Sequence, residues 1–403
     1  MEAPAVVPRA VPPRQLAWLR TELAGWQSDG LITDDQAERI AVRYRPGAEH
    51  ARISIGRVLL SLGGGFVGIG LIWLVAANLD QLSPVSHFVA VTLIWLAFLV
   101  GGEVLAARKA SPPVVGAARL LAALGIGAVV FQAAQSLQVP AFEPRLVGLW
   151  SAAALVHAYA TRAYMPFLVG VITGVGWWFS QPMWDEPSGL TVVLLLGAGA
   201  VLAASLAVLH DTRIDSFAWT WRTVAGGMAL VALFVAAIPD VGSDELTWGL
   251  WLVLALAVAV AAAAAAAAIR PRRRILEPAG AVVVLVVAYL LAQWQTATDT
   301  TSVDAADWLH AAVSVAAYVV LAVALVALGT VREHPPLTWM AMTGLVVFTT
   351  FQSFAVFAPI VTGAWLFVVL GTVFLGTGFL FDRARRELTQ ALDTDADNEG
   401  AGR

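Results

Sequence analysis

The chain has 403 residues, 59% of them hydrophobic and only 13% charged, and its mean hydropathy is +0.77. Soluble domains carry about 25% charged residues, so this composition excludes a water-covered globular protein and indicates a membrane class. The net charge of −4 argues neither for nor against nucleic acid, which is not an expected partner, and the lack of cysteine excludes disulfides, thiolate catalysis and Cys-ligated metals.

Residues 1–13, with Pro4, Pro8, Pro12 and Pro13 among small residues, read as a disordered tail without a signal-peptide core. Residues 14–46 read as a cytoplasmic amphipathic helical hairpin. Leu16, Leu19, Leu23 and Trp26 recur at helical spacing, and Gly30 is placed to end that helix. Thr33 with Gln36 forms a capping-box pattern ahead of a second stripe of Ala37, Ile40, Ala41 and Tyr44, which Pro46-Gly47 stops. Such a hairpin either docks a protein partner or lies on the membrane surface, since both need the same stripe.

A juxtamembrane linker (47–57) leads into a transmembrane bundle (58–381). Apolar runs near the roughly 20-residue requirement predict an all-α, polytopic bundle of about 12 spans. They are Val58–Ala77, Phe88–Ala107, Ala117–Leu137, Leu146–Thr161, Tyr164–Ser180 and Leu190–His210, then Thr223–Ile238, Thr247–Ile269, Ala279–Gln293, Leu309–Val331, Leu337–Phe357 and Ile360–Phe381. Four of these, 146–161, 164–180, 223–238 and 279–293, are short, and whether they cross fully stays open. An acidic tail, 382–403, with Asp393, Asp395, Asp397 and Glu399, is expected to be disordered.

Charge placement supports this division. With the N-terminus inside, the inner connections carry Arg108, Lys109, Arg162, Arg213, Arg222, Arg270, Arg272, Arg273, Arg274 and Arg332, whereas the outer ones carry Arg145 alone among many acids. Basic residues resist translocation and meet anionic lipid, so both termini are expected in the cytoplasm of a bacterial inner membrane. Arg270, Arg272, Arg273 and Arg274 are the expected contact for anionic lipid in the surrounding bilayer.

Gly68-Ile69-Gly70 precedes Ala76-Ala77-Asn78 at the spacing at which Gly125-Ile126-Gly127 precedes Ala133-Ala134-Gln135, a candidate parallel repeat. These stretches, with Trp26 and Gly30-Leu31-Ile32-Thr33 in the hairpin, Ala76 to Asp80, Gln132 to Leu137 and Leu149-Trp150, carry a family resemblance over roughly Leu16 to Ser180. The chain resembles the bacterial predicted-membrane-protein family known as domain of unknown function twenty-one fifty-seven. Members usually have Trp after the Asn of the first span, where this chain has Leu79, and a Gln-x-Tyr-His stretch in the third, which is degenerate here. The resemblance implies a membrane topology and carries no established activity.

Two polar layers are the candidate sites. The outer one gathers Asn78, Gln132, Gln135, Gln293 and Gln352 near span ends, with Trp177 and Trp178 at similar depth. Amides both donate and accept, and indoles stack on sugar faces or lipid groups, which suits a neutral polar or lipid-like ligand. The same residues also serve as helix–helix glue and an interfacial aromatic belt. The inner layer is Glu103, Arg119 and His157. Glu103 lies four residues before its span ends, about 6 Å deep, and Arg119 lies at matching depth across a short loop. Paired and titratable groups at that depth are either functional or snorkel to the headgroups.

Gly64–Gly68 and Gly170–Gly174 have the spacing that lets helices approach closely. No phosphate-binding Gly-Lys motif and no metal-ligand spacing occurs, so neither cofactor nor metal is expected and an enzyme is not the expected class. The sequence therefore points to binding or transport of a neutral polar or lipid-like envelope molecule. The alternative is a non-transporting scaffold or regulator that recruits partners through the hairpin.

Overall fold

A computed structural model describes residues 9–11, 13–46, 83–137, 140, 143–183, 187–211, 213–242, 245–246, 248–269, 275–294 and 305–352, with residues 62, 63, 66, 70, 375, 376 and 383. The expected spans 58–77 and 360–381, Asn78, the arginines at 270 and 272–274, the linker and the acidic tail lie wholly or almost wholly outside the described residues.

The hairpin consists of α1 (Pro13–Ser28) and α2 (Asp34–Ala41). Gly30 takes φ +70°, a left-handed conformation that costs glycine little. Thr33 accepts from the Gln36 N–H at 3.3 Å while the Thr33 N–H donates to Gln36 Oε1 at 2.9 Å, completing the capping box. Leu16, Leu23 and Ala37 are its buried apolar residues, too few to make a stable core alone. The expected disordered tail instead contributes a short strand, β1 (Arg9–Val11), paired in parallel with β2 (Tyr44–Pro46). Pro8 and Pro12 flank β1, and residues beside proline favour extended backbone.

Among the described residues ten further helices follow: α3 (Pro84–Ala107), α4 (Pro112–Ser136), α5 (Pro144–Thr161), α6 (Tyr164–Met183), α7 (Gly189–His210), α8 (Asp215–Ala236), α9 (Leu250–Ile269), α10 (Leu276–Ala292), α11 (Ala305–Val331) and α12 (Pro335–Gln352). Several begin before the apolar run does, because proline sets the first helical position. Pro84, Pro112, Pro144 and Pro335 each open a helix. Among the described residues, which leave out the expected spans 58–77 and 360–381, six helices, α3, α4, α7, α8, α9 and α11, are long and apolar enough to cross a membrane, and α10 is apolar but shorter. That is half of the expected twelve. The expected short span 223–238 is corrected to a 22-residue helix, since Asp215 to Arg222 continues it and Arg222 is a helix residue rather than a loop one.

Successive helices pack as antiparallel pairs, α3 with α4, α5 with α6, α7 with α8 and α11 with α12. Buried residues make up 78% of the most apolar stretch of α7 but 6% of that of α3, so α7 is the axis of the second half and α3 is peripheral. Indoles seat on glycines throughout the first half. A Cβ on Gly127 would lie 2.6 Å from the Trp150 ring, one on Gly148 2.7 Å from Trp177 and one on Gly125 3.1 Å from Trp95. Gly170 and Gly174 do bring α6 against α5, facing Leu155 and Ser151, and Ser151 Oγ donates to the Gly170 carbonyl at 2.8 Å. Phe167 stacks on Phe217 at 3.7 Å and joins the halves, helped by the Tyr159 hydroxyl 3.0 Å from His210 Nε2.

Candidate functional site

The short turns after α3, α5, α7 and α11 carry Arg108, Lys109, Arg162, Arg213 and Arg332, and side-chain contacts gather the ends of these helices on one face. At that basic face the second half builds a four-residue charge cluster. Arg222 Nε donates to Glu277 Oε2 at 2.9 Å, and its Nη2 to Asp211 Oδ1 at 2.5 Å. Arg332 reaches the other oxygens, Asp211 Oδ2 at 3.2 Å and Glu277 Oε1 at 2.5 Å. Arg222, Asp211 and Glu277 side chains are 4%, 6% and 7% exposed, Arg332 27%, so the carboxylates are sealed inside and the accessible group is a guanidinium. Charges taken this far from water require such mutual pairing. Beside the cluster, His334 in the turn after α11 accepts or donates at Nε2 with Thr223 Oγ1 across 3.0 Å. Burial and nearby Arg222 push its pKa down to about 4.

In the first half, Arg119 donates to both Glu103 oxygens, at 2.8 and 2.7 Å. His157 Nε2 lies 3.9 Å from Glu103, beyond hydrogen-bond reach, and neither ring nitrogen has another partner. The structure thus brings the inner three together on α3, α4 and α5.

The outer layer differs from residue to residue in burial, and Asn78 lies outside the described residues. Gln132 is half-buried on α4, whereas Gln135 and Gln293 are exposed. Gln352 is 2% exposed, and neither of its amide atoms finds a hydrogen-bond partner. No hydrogen bond joins any two of these four among the described residues. Trp177 and Trp178 do meet, and they meet two indoles that sequence reasoning did not select. Trp251 packs edge-to-face on both, with centroids 4.7 and 5.7 Å apart. Together with Trp221 they wall a cavity of about 380 Å³ between the two halves, bordered by Leu155 and Leu202. The Trp178 N–H is spent on the Leu195 carbonyl at 3.0 Å and the Trp251 N–H on the Trp178 carbonyl at 3.2 Å. The cavity therefore offers mainly ring faces and methyl groups, together with the Trp177 and Trp221 N–H groups, which have no partner among the described residues. Leu254 and Val258, 45% and 48% exposed, mark its outward edge. Among the described residues no three His, Asp or Glu stand close enough to hold a metal ion.

The first half also carries the likeness to known proteins. Residues 24–167 match the family model described as Predicted membrane protein (DUF2157). The matched stretch runs from the hairpin into the start of α6. It includes Glu103, Arg119, His157, Gln132, Gln135, the Trp150–Gly127 contact and Leu155 at the cavity border, and it stops short of the cavity's four tryptophans and of the four-residue cluster. No curated protein and no solved structure matches the chain.

Arg222 and Arg332 were read from the sequence only as charges flanking spans, and Asp211 and Glu277 were not singled out. One signal was available: an acid and an arginine recur around the clustered ends of α7, α8, α10 and α11, so these ends carried charges of opposite sign at matching depth.

Proposed function

We propose that the chain is a multi-pass protein of the bacterial cytoplasmic membrane, with both termini inside, that binds or transports a lipid-like envelope molecule rather than catalysing a reaction. The observation that carries this reading is the tryptophan-walled cavity between the two halves. Ligand sites in helical membrane proteins occupy the interface between such halves. The walls are ring faces and aliphatic groups, with the Trp178 and Trp251 N–H groups already bonded and those of Trp177 and Trp221 without a partner among the described residues, which suits a largely apolar body that carries a hydrogen-bond acceptor and favours the lipid-like alternative over a sugar.

The test uses the purified full-length protein and its thermal stability with a panel of envelope lipids and isoprenoids. A ligand that binds only the native state stabilises by about 2.7 kcal/mol at a hundred times its dissociation constant. One such ligand is expected, and Val258→Trp, placed at the cavity edge, removes its effect while leaving the unliganded melt nearly unchanged. A panel without any stabilising member contradicts the reading.

A second reading, a scaffold or regulator, is favoured by the hairpin. Trp18 and Leu31 are 61% and 70% exposed, and an apolar surface of that kind suits a protein partner or the membrane interface. Deleting residues 9–46 while retaining ligand stabilisation separates the two roles.

A further inference from the structure

The charge cluster stands at one end of a second cavity. This one, of about 480 Å³, lies between α8, α10 and α11, with Arg222 and Glu277 among its lining and otherwise carbon walls such as Leu233, Val287, Leu321 and Leu328. It follows α10 from Glu277 to Val287, about 15 Å at 1.5 Å per residue. That length equals the hydrocarbon depth of one leaflet, half of roughly 30 Å. The lining residues Val283 and Val320 are 60% and 67% exposed, so the cavity opens sideways between α10 and α11 along its length. A charged end at headgroup level, an apolar trough one leaflet deep and a lateral opening match the three parts of a membrane lipid.

The sign of the headgroup follows from the cluster. Its two carboxylates are sealed at 6% and 7% exposure, each bonded by both arginines, while Arg332, which holds the lining residue Glu277 from outside the cavity, remains 27% exposed. A guanidinium rim with buried acids favours an anion, and a phosphate is matched by the planar fork of arginine.

We propose that the cleft between α8, α10 and α11 is a binding site for an anionic phospholipid, with an acyl chain in the cavity and the phosphate on Arg332. This site is separate from the tryptophan-walled cavity and does not depend on a ligand there.

The experiment measures thermal stability of the delipidated full-length protein with phosphatidylglycerol, phosphatidylcholine or diacylglycerol. Phosphatidylglycerol is expected to raise the melting temperature by several degrees and the other two to do little. A Cβ on Gly280 meets nothing within 4 Å, so Gly280→Phe projects into open space, and Ala324→Phe fills the opposite wall. Both keep the unliganded melt and lose the phosphatidylglycerol shift, whereas Val258→Trp retains it. Arg332→Gln weakens the shift with the cavity still open. Equal shifts from all three lipids overturn the headgroup assignment. A phosphatidylglycerol shift that survives both plugs overturns the site. Plugs that lower the unliganded melt, with no lipid effect on the unmodified protein, show that another part of the chain or a second copy fills the cleft, and overturn it too.

Discussion

Arg222 and Glu277, 55 residues apart in the chain, meet at 2.9 Å with side chains 4% and 7% exposed. Their contact ties α8 to α10 at the basic face, and Arg332 extends it to α11. Breaking a buried pair by removing one partner costs about 3–5 kcal/mol, because the other charge is left uncompensated. Arg222→Gln is therefore expected to be among the most destabilising single changes. Combining it with Glu277→Gln recovers part of that loss. Unfolding of both variants in detergent checks this; strictly additive losses reject the coupling.

The Glu103–Arg119 pair is more exposed, with Glu103 at 41% and Arg119 at 18%. Its contribution is expected to be smaller, near the upper end of roughly 0–1 kcal/mol measured for accessible pairs. Glu103→Gln should lower the melt slightly, and Glu103→Gln with Arg119→Gln should lower it no further. A loss equal to that of Arg222→Gln would show that the first half depends on its charges as strongly as the second.

His334 gives a pH dependence with a definite sign. Its folded pKa is depressed to about 4 from the ordinary 6.5, so the unfolded chain binds the proton first. The stability from neutral His334 is complete above about pH 6.5 and is lost as pH falls towards 4. His334→Gln can keep a hydrogen bond to Thr223 and does not titrate. Melts between pH 7 and 4.5 should fall less steeply for this variant; parallel curves would remove His334 from the account.

The hairpin, the membrane class and most helix positions were legible in the sequence because each leaves a local mark. Thr33 and Gln36 stand at capping-box spacing, Gly30 can turn left-handed, and the apolar runs exceed any soluble core helix. The pairing of Glu103 with Arg119 was legible for the same reason, since a short loop fixes their relative depth. The tryptophan-walled cavity was half legible. Trp177 and Trp178 announce themselves as neighbours on one helix, but Trp221 and Trp251 join them only through packing of α6, α8 and α9. The charge cluster was hidden because Arg222 looked like a loop residue once the helix start was placed at Thr223, two turns too late. Gln352 illustrates the opposite case: its depth was readable, and its burial without a partner was not.

Glycine-seated indoles make a paired prediction. Gly127→Ala places a methyl 2.6 Å from the Trp150 ring, which forces α4 and α5 apart and is expected to cost about 1–3 kcal/mol. Gly280→Ala has open space around its Cβ and should be neutral or stabilising by up to about 1 kcal/mol, through better helix propensity. Melts of the two variants in the same detergent check the contrast, and a neutral Gly127→Ala would mean that Trp150 is free to move.

Sidedness is open to direct labelling, since the chain has no cysteine. Single cysteines at Arg162, Arg213 and Arg332 should resist an impermeant thiol reagent in intact cells, and those at Arg145 and Glu245 should react. The reverse pattern inverts the topology, and a mixture within either group breaks the alternation.

The central claim is that a lipid-like molecule occupies the space between the two halves. A cryo-electron microscopy map of the full-length protein in discs of its native membrane lipid tests it most directly. Elongated density in contact with Trp177, Trp221 and Trp251, absent from a map of Val258→Trp, is the expected result. A map in which the same indoles close on one another and leave no space between α6, α8 and α9 would contradict it.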